Sequence, residues 1–394
     1  MKILQIHNRY KIPGGEDTVV RCEYELLKQY QHDVRRLEVD NDDIQTVFDK
    51  INIAIGTIYS RSGARKVTEA VQAFQPDVVH VYNFFPKISP AVYYACKRLG
   101  VPVVQSLQNY RLFCASPYFY RDGKVCEDCV GQAFPISGIV HGCYQGSRIG
   151  TAAIATMQYT HRLLNTWNEG IDQYIALTDF ARDKYVEAGL PASKMIVKPN
   201  FLPIDPGQGN VRENYILFAG RLSPEKGIEV VIEAWKTLAD EIPLKIVGQG
   251  ALEAQVMKAC QHPNIEWLGH QSHTEVLSLM KKAQALLFPS LWYECLPMVI
   301  VEAYAVGLPV IASNLGSQST LIKHRQTGLH FEAGNTRSLV EQVRWFLTHP
   351  EAASQMRQGA RHEYETRYTA EENYKMLIDI YQAVCPLVNH SLPV

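Results

Sequence analysis

The chain has 394 residues, 46% hydrophobic and 20% charged, with 39 Lys and Arg against 40 Asp and Glu and a net charge of −1. That length and composition predict two soluble globular domains with sizeable cores. The balanced charge argues against nucleic acid as a partner bound by bulk electrostatics. The opening MKILQIHNRY is too short and polar for a signal peptide, and no apolar run reaches the ~18 residues of a membrane span. The expected location is cytoplasmic, with any membrane contact peripheral and on the inner face.

The first strand signal, KILQI, leads to Gly14-Gly15 and then a helical run, TVVRCEYELLKQY. A glycine pair between a first strand and a first helix suits either the close approach of a phosphate or a plain turn. The local text GGED resembles the hairpin of the diguanylate cyclases, but the residue order differs from theirs. PDVVHVYNF then precedes SPAVYYACKRLG, and VPVVQSL follows. The stretch 110–146 holds Cys114, Cys126, Cys129 and Cys143. Its CEDC core has the two-residue gap with which two thiolates grip a zinc ion. The four are candidates for a structural zinc or for small buried thiols; no His or carboxylate joins them at the spacing of a catalytic metal. SRIGTAAIATMQYTHRLLNTWNEG reads as one long helix carrying Arg148, His161 and Arg162 and packing on the N-terminal sheet; a membrane-facing or acceptor-facing role is the second reading. DQYIALT is the next strand.

The Pro- and Gly-rich text KPNFLPIDPGQGNVREN reads as a linker, with the boundary near Pro206. It separates an N-terminal domain, 1–205 with the Cys-containing insertion 110–146, from a C-terminal domain, 206–394. The last helix, about 371–385, is a candidate to cross back onto the first domain. In the second domain NYILFAG, LKIVGQG, IEWLG, AQALLFPS and LPVIAS are strand signals. Short, doubly apolar strands alternating with helices imply parallel sheets covered on both faces. The fold class is α/β: two Rossmann-like, doubly wound domains with a cleft lined by strand carboxyl ends.

Three segments of the second domain carry chemistry. In FAGRLSPEKG, Arg221 and Lys226 follow a strand and open a helix, a place where two cations suit a diphosphate. Each charge-assisted bond there contributes ~1.5–3 kcal/mol. The competing reading is a solvated loop in which Arg221 pairs with Glu225. In FPSLWYECLPMVIVEAYAVGLP, Glu294 precedes a helix of about ten residues with Pro297 in its first turn, and Glu302 sits on its second turn. Carboxylates there suit sugar and ribose hydroxyls, and the backbone N–H groups near Leu296 to Val299 make an anion site. In LKIVGQG, Gly248 and Gly250 permit close approach of a flat ring.

Taken together, AGRLSPEKG, Glu294 with Glu302, EAYAVGLPVIAS, TGLHF, KPN and the text from Pro76 to Cys114 resemble family 4 of the glycosyltransferases, retaining enzymes of the GT-B fold. The resemblance implies that Arg221 and Lys226 hold the diphosphate of a nucleotide-sugar donor and that Glu302 binds the ribose. It implies that Glu294 binds the transferred sugar with the backbone of Cys295, Leu296, Pro297, Met298 and Val299. Gly248, Leu268 and His270 would flank the base, and Gly14-Gly15 would approach from the opposite domain. No cofactor is required, and none for catalysis would be a metal. The implied donor is a UDP-sugar, UDP-glucose first and GDP-mannose second. The implied acceptor is a glycan or lipid-linked glycan of a surface polysaccharide. Three positions depart from the family: Gln108 stands where His is usual at the reacting centre, Tyr82 replaces another frequent His, and Thr320 replaces an acid. Gln108 and Thr320 keep open a weakly active nucleotide-sugar-binding protein, and a GT-B nucleotide-sugar epimerase is a separate alternative within the same fold.

Overall fold

A computed structural model describes residues 1–9, 14–40 and 56–385. Strands β1 (Lys2–Asn8), β2 (Asp33–Val39), β3 (Val78–Asn83), β4 (Val103–Leu107), β7 (Gln173–Ala176) and β8 (Met195–Val197) form a parallel sheet in the order β2-β1-β3-β4-β7-β8. A two-stranded hairpin, β5 (Tyr120–Arg121) and β6 (Lys124–Val125), belongs to the Cys-containing insertion. The second sheet joins β9 (Ile216–Ala219), β10 (Leu244–Val247), β11 (Ile265–Trp267), β12 (Leu286–Phe288), β13 (Val310–Ser313) and β14 (Gly328–Phe331) in the order β11-β10-β9-β12-β13-β14. In such sheets a crevice opens at the carboxyl ends of the strands where the winding reverses. The reversals fall between β1 and β3 in one sheet and between β9 and β12 in the other. Gly14-Gly15 follows β1, Arg221 to Lys226 follows β9, and Ser290 to Glu294 follows β12, so topology alone brings the sequence motifs to the two crevices.

The central strands are buried on both faces. In β1 every residue after Lys2 is buried, and β3 and β4 are buried throughout. Sequence periodicity did not foresee β2, β8 or β14, and each lies at a sheet edge. An edge strand covers only part of its surface, so DVRRLEV carries charges where a central strand cannot. The long helix expected from Ser147 onward is also corrected. It runs Arg148–Leu163 and stops; Asn165, at φ 55°, turns the chain before a second short helix, Thr166–Glu169. Asn tolerates that left-handed backbone.

The last helix, Ala370–Val384, lies on the N-terminal sheet. Leu377, Ile380 and Tyr381 pack with Ile3, Leu27, Val34, Val78, Val104 and Ile175. The chain therefore passes between the lobes twice, and the passages run side by side. Leu202 N donates to Tyr368 O at 3.1 Å, and Asn373 Nδ2 donates to Pro199 O at 2.9 Å.

Beneath the N-terminal crevice lies a buried charged network. Lys198 Nζ sits 2.6 Å from Glu23 Oε1, and Tyr82 OH donates to Glu23 Oε2 at 2.5 Å. Gln5 Nε2 donates to Tyr82 OH at 3.0 Å. His80 stacks on Tyr82, with ring centroids 4.0 Å apart, and bonds Tyr381 of the last helix at 2.7 Å and Ser106 at 2.8 Å. Burial drives His80 down to about 3, so it is neutral. Burial disfavours the Glu23 carboxylate, but the Lys198 charge and the hydrogen bonds outweigh it and hold the group below the ordinary carboxyl range.

Candidate active site

After β9 the chain runs through Gly220 and Arg221 into a short 3-10 turn, Pro224–Lys226, and then the helix Ile228–Leu238. Gly227 makes the joint at φ 72°; a Cβ there would lie 2.0 Å from Pro289 O, so only glycine fits. That close approach docks the turn against the end of β12 and delivers Lys226 to Glu294. Lys226 Nζ lies 2.5 Å from Glu294 Oε1. The same oxygen accepts from Trp292 Nε1 at 2.6 Å and from Ser290 Oγ at 3.2 Å. Lys226 Nζ also stands 5.2 Å from the centre of the Trp292 ring, a cation–π contact. A cation, an indole and a hydroxyl thus fix one half-buried carboxylate at the mouth of the sheet.

Glu302 lies on the second turn of the helix Met298–Ala305, which is eight residues long rather than ten, with Pro297 as its N-cap instead of inside its first turn. Its Oε1 is 3.1 Å from His273 Nε2, and that hydrogen bond raises the His273 pKa. Arg221 is 59% exposed and 3.4 Å from Glu225, so the solvated-loop pairing weighed from sequence is present. Lys226 is likewise already paired. A diphosphate would be met by two cations that each begin with a carboxylate partner.

Gly248 and Gly250 have a different reason from the one expected. At φ 135° and 159°, their missing side chains admit protein backbone: a Cβ would stand 1.8 Å from Gly220 O and 2.5 Å from Leu222 O, respectively. The loops after β9, β10 and β11 are stitched together by Gly220 N to Val247 O at 3.0 Å and Gly248 N to Gly269 O at 2.8 Å. Leu268 packs partly buried on the core behind them, and His270 is exposed. Gly14 and Gly15 contrast with this pair. Neither has positive φ, and no described atom lies within 4 Å of where either Cβ would stand. Packing within the described chain does not demand glycine there. Gly248→Ala is expected to cost at least about 2 kcal/mol in urea unfolding. Gly14→Ala, at φ −129°, is expected to change stability by less than about 1 kcal/mol while weakening donor binding. Equal stability of the two variants would contradict this contrast.

Several residues that sequence did not single out close the cleft from the N-terminal side. Tyr110 OH donates to Glu294 O at 3.4 Å, and Thr178 Oγ1 donates to Cys295 O at 3.2 Å. From within the C-terminal domain Ser317 Oγ donates to Glu294 O at 2.5 Å, and it lies 2.9 Å from Thr178 Oγ1. Burial pushes the Cys295 thiol up to about 12, so it stays a neutral packing group between Tyr110 and Tyr185. Gln108 is part of the same wall; it forms a reciprocal amide pair with Asn200 at 3.2 and 3.3 Å. Asn109 Nδ2 donates to Glu16 Oε2 at 3.3 Å, joining that wall to the helix that Gly14-Gly15 opens. Asp17 braces the glycines by accepting from Gly14 N at 2.8 Å while bonding His7 at 2.9 Å.

Tyr82 is buried in the Glu23 network, and the exposed Thr320 bonds Ser317 O within its own short helix at 3.0 Å. The four insertion cysteines lie within electrostatic reach of one another, yet among the described residues no group of three or more His, Cys, Asp or Glu is arranged to hold a metal ion. Burial holds Cys129 up at about 11, Cys114 Sγ is 3.2 Å from Ser116 Oγ, and all nine cysteines are free thiols.

Residues 54–200 match the model of the glycosyl transferase 4-like domain, and residues 205–363 match that of the glycosyl transferases group 1. The chain belongs to family 4 of the glycosyltransferases. Among its relatives, a glycogen synthase of Mycobacterium tuberculosis is 24% identical over 86% of this chain and 80% of its own. The amylovoran biosynthesis glycosyltransferase AmsK of Erwinia amylovora is 29% identical over 50% of this glycosyltransferase and 53% of its own length. A glycosyltransferase structure from Rickettsia africae superposes with a TM-score of 0.68 at 16% identity, covering 98% of this chain and 99% of that one. Anabaena Alr3699/HepE in complex with UDP gives 0.65 at 16% identity, over 97% and 100%. The fold of this glycosyltransferase is GT-B.

Proposed function

We propose that this glycosyltransferase moves a hexose, with retention of configuration, from UDP-glucose to a glycan or lipid-linked acceptor in surface polysaccharide synthesis. The observation that carries the reading is the Lys226–Glu294 contact, flanked by Arg221 and Glu302 at the β9/β12 reversal. Donor binding exchanges partners there. The diphosphate takes Lys226 and Arg221, and Glu294, still held by Trp292 and Ser290, turns its acceptor capacity to sugar hydroxyls. Glu302 bridges the ribose. The acceptor oxygen bonds to the anomeric carbon as the bond from that carbon to the β-phosphate oxygen breaks on the same face. The acceptor proton passes to the departing phosphate. The two cations stabilise the charge that grows there and take the part a metal ion would otherwise play. Gln108 contributes hydrogen bonds but no charge.

The UDP-glucose assignment draws support from a HepE structure of the same fold, which is described in complex with UDP-glucose. The polysaccharide role draws support from AmsK, named for amylovoran biosynthesis. The test is a thermal-shift series with UDP-, GDP- and ADP-sugars, followed by NMR of the product's anomeric centre. UDP-glucose is expected to give the largest shift and an α-linked product. A larger shift with GDP-mannose would overturn the donor, and a β-linked product would overturn retention.

A further inference from the structure

We infer that the N-terminal lobe carries a docking face for an anionic lipid bilayer, built on the helix Arg148–Leu163 and the short helix Ile136–His141. The inference rests on this surface and not on the donor site. Among the described residues, five of the twelve exposed large apolar side chains fall within residues 136–164: Ile136, Val140, Ile149, Leu163 and Leu164, each 54–82% exposed. Such concentration marks an interaction surface, whereas scattered exposed apolar residues do not.

The helix orders them. Its buried face carries Thr151, Ile154, Ala155, Met157, Gln158 and His161. Positions 149, 153, 156, 160 and 163 recur at the spacing of one helical stripe. They read Ile, Ala, Thr, Thr and Leu, so an uncharged stripe runs ~21 Å along the helix. Arg148 and Arg162, both exposed, stand at its two ends and to one side. Arg148 Nε donates to Val140 O at 3.1 Å, which sets the apolar tip of the short helix beside Ile149.

Charge decides the occupant. Residues 129–168 contain no Asp or Glu, whereas the whole chain has 40 in 394 residues. The nearest acid, Asp128, lies 3.2 Å from Ser137 Oγ at the edge of the short helix and is paired with Arg121 at 2.8 Å. Two helices that carry no acid of their own, with an uncharged stripe tipped by Ile149 and Leu163 and a guanidinium at each end, complement anionic headgroups over acyl chains. A protein partner with an apolar groove would not require the removal of every acid from forty consecutive residues. Among the described residues no helix is long and apolar enough to cross a membrane, so the contact is at the interface.

The test is sedimentation of the full chain with vesicles of phosphatidylglycerol and phosphatidylcholine, against pure phosphatidylcholine, at low and high salt. The full chain is expected to bind the anionic vesicles, and to bind them more weakly as salt rises. The double substitution Ile149→Glu with Leu163→Glu is expected to weaken binding about tenfold or more, with the UDP-glucose thermal shift unchanged as the check on folding. Three results would each overturn the inference: no binding of the full chain to anionic vesicles, binding that the double variant leaves intact, or a solution dimer that the double variant splits into monomers.

Discussion

Lys226→Ala is expected to lower kcat/KM for the donor about 10²–10³-fold, the range found when one preorganised charge donor is removed from a developing anion. The reason is geometric. Lys226 is held at the mouth of the sheet by a turn that only Gly227 can make, and it is 19% exposed. Desolvation by Trp292 and Phe288, whose ring centres lie 5.2 and 6.0 Å from Nζ, strengthens its field on a bound phosphate. Arg221→Ala is expected to fall toward the smaller end of that range, because its guanidinium is more open to water. Lys226→Arg is not expected to restore the full rate, since the bulkier guanidinium presents its donors in a fixed planar fork rather than as the point charge that fits between Trp292 and Glu294. The loss should appear in kcat as well as KM, because the charge on the leaving phosphate grows in the transition state. Steady-state kinetics with saturating acceptor checks it. Near-normal turnover in both alanine variants would contradict the diphosphate assignment.

Lys198→Met is expected to be the most damaging single change away from the cleft, costing about 3–5 kcal/mol because it leaves the Glu23 charge buried without its partner. The pair Lys198→Met with Glu23→Leu is expected to recover most of that loss, since the charge and its desolvation are then both gone. Urea denaturation of the single and double variants reads the difference. The same network sets the acid limit of stability. His80 is neutral when folded and its pKa lies well below the ordinary 6.5. Between those values the unfolded chain binds the extra proton, so stability is full above about pH 6.5 and declines as pH falls toward about 3. Glu23 adds to this from its ordinary 4.5 downward, because its folded pKa is depressed and its contribution is lost as pH drops through that lowered value. Stability flat from pH 7 to pH 4 would contradict this assignment.

What could be read in the sequence was what depends on short-range pattern. Central strands such as VVHVY and the β9 run ILFA announce themselves because both faces are buried. The β2 and β8 edges do not, because much of their surface meets water, and the four-residue β14, though buried, is too short for its alternation to stand out. Arg221, Lys226, Glu294 and Glu302 were legible through their place at strand ends and helix starts, but their pairing was not. Lys226 and Glu294 are 68 residues apart, and nothing local says that the cation meets the carboxylate rather than solvent. Glu23 and Lys198, 175 residues apart, gave no signal of their pairing, although Lys198 opens the KPN text. The clasp of Tyr110 and Thr178 on the Glu294–Cys295 backbone is likewise a product of domain docking. Gly248 and Gly250 show the converse: their glycine requirement was legible, but backbone of the adjacent loop supplies the close approach that had been assigned to a ring.

The central claim is that the mouth of the C-terminal sheet holds the donor's diphosphate through Lys226 and Arg221. A crystal structure with UDP-glucose tests it most directly. The diphosphate is expected within hydrogen-bonding distance of Lys226 Nζ and the Arg221 guanidinium, with Glu302 on the ribose and the Lys226–Glu294 contact opened in favour of phosphate and sugar. A nucleotide lodged on the N-terminal sheet, with Lys226 still closed on Glu294, would contradict it.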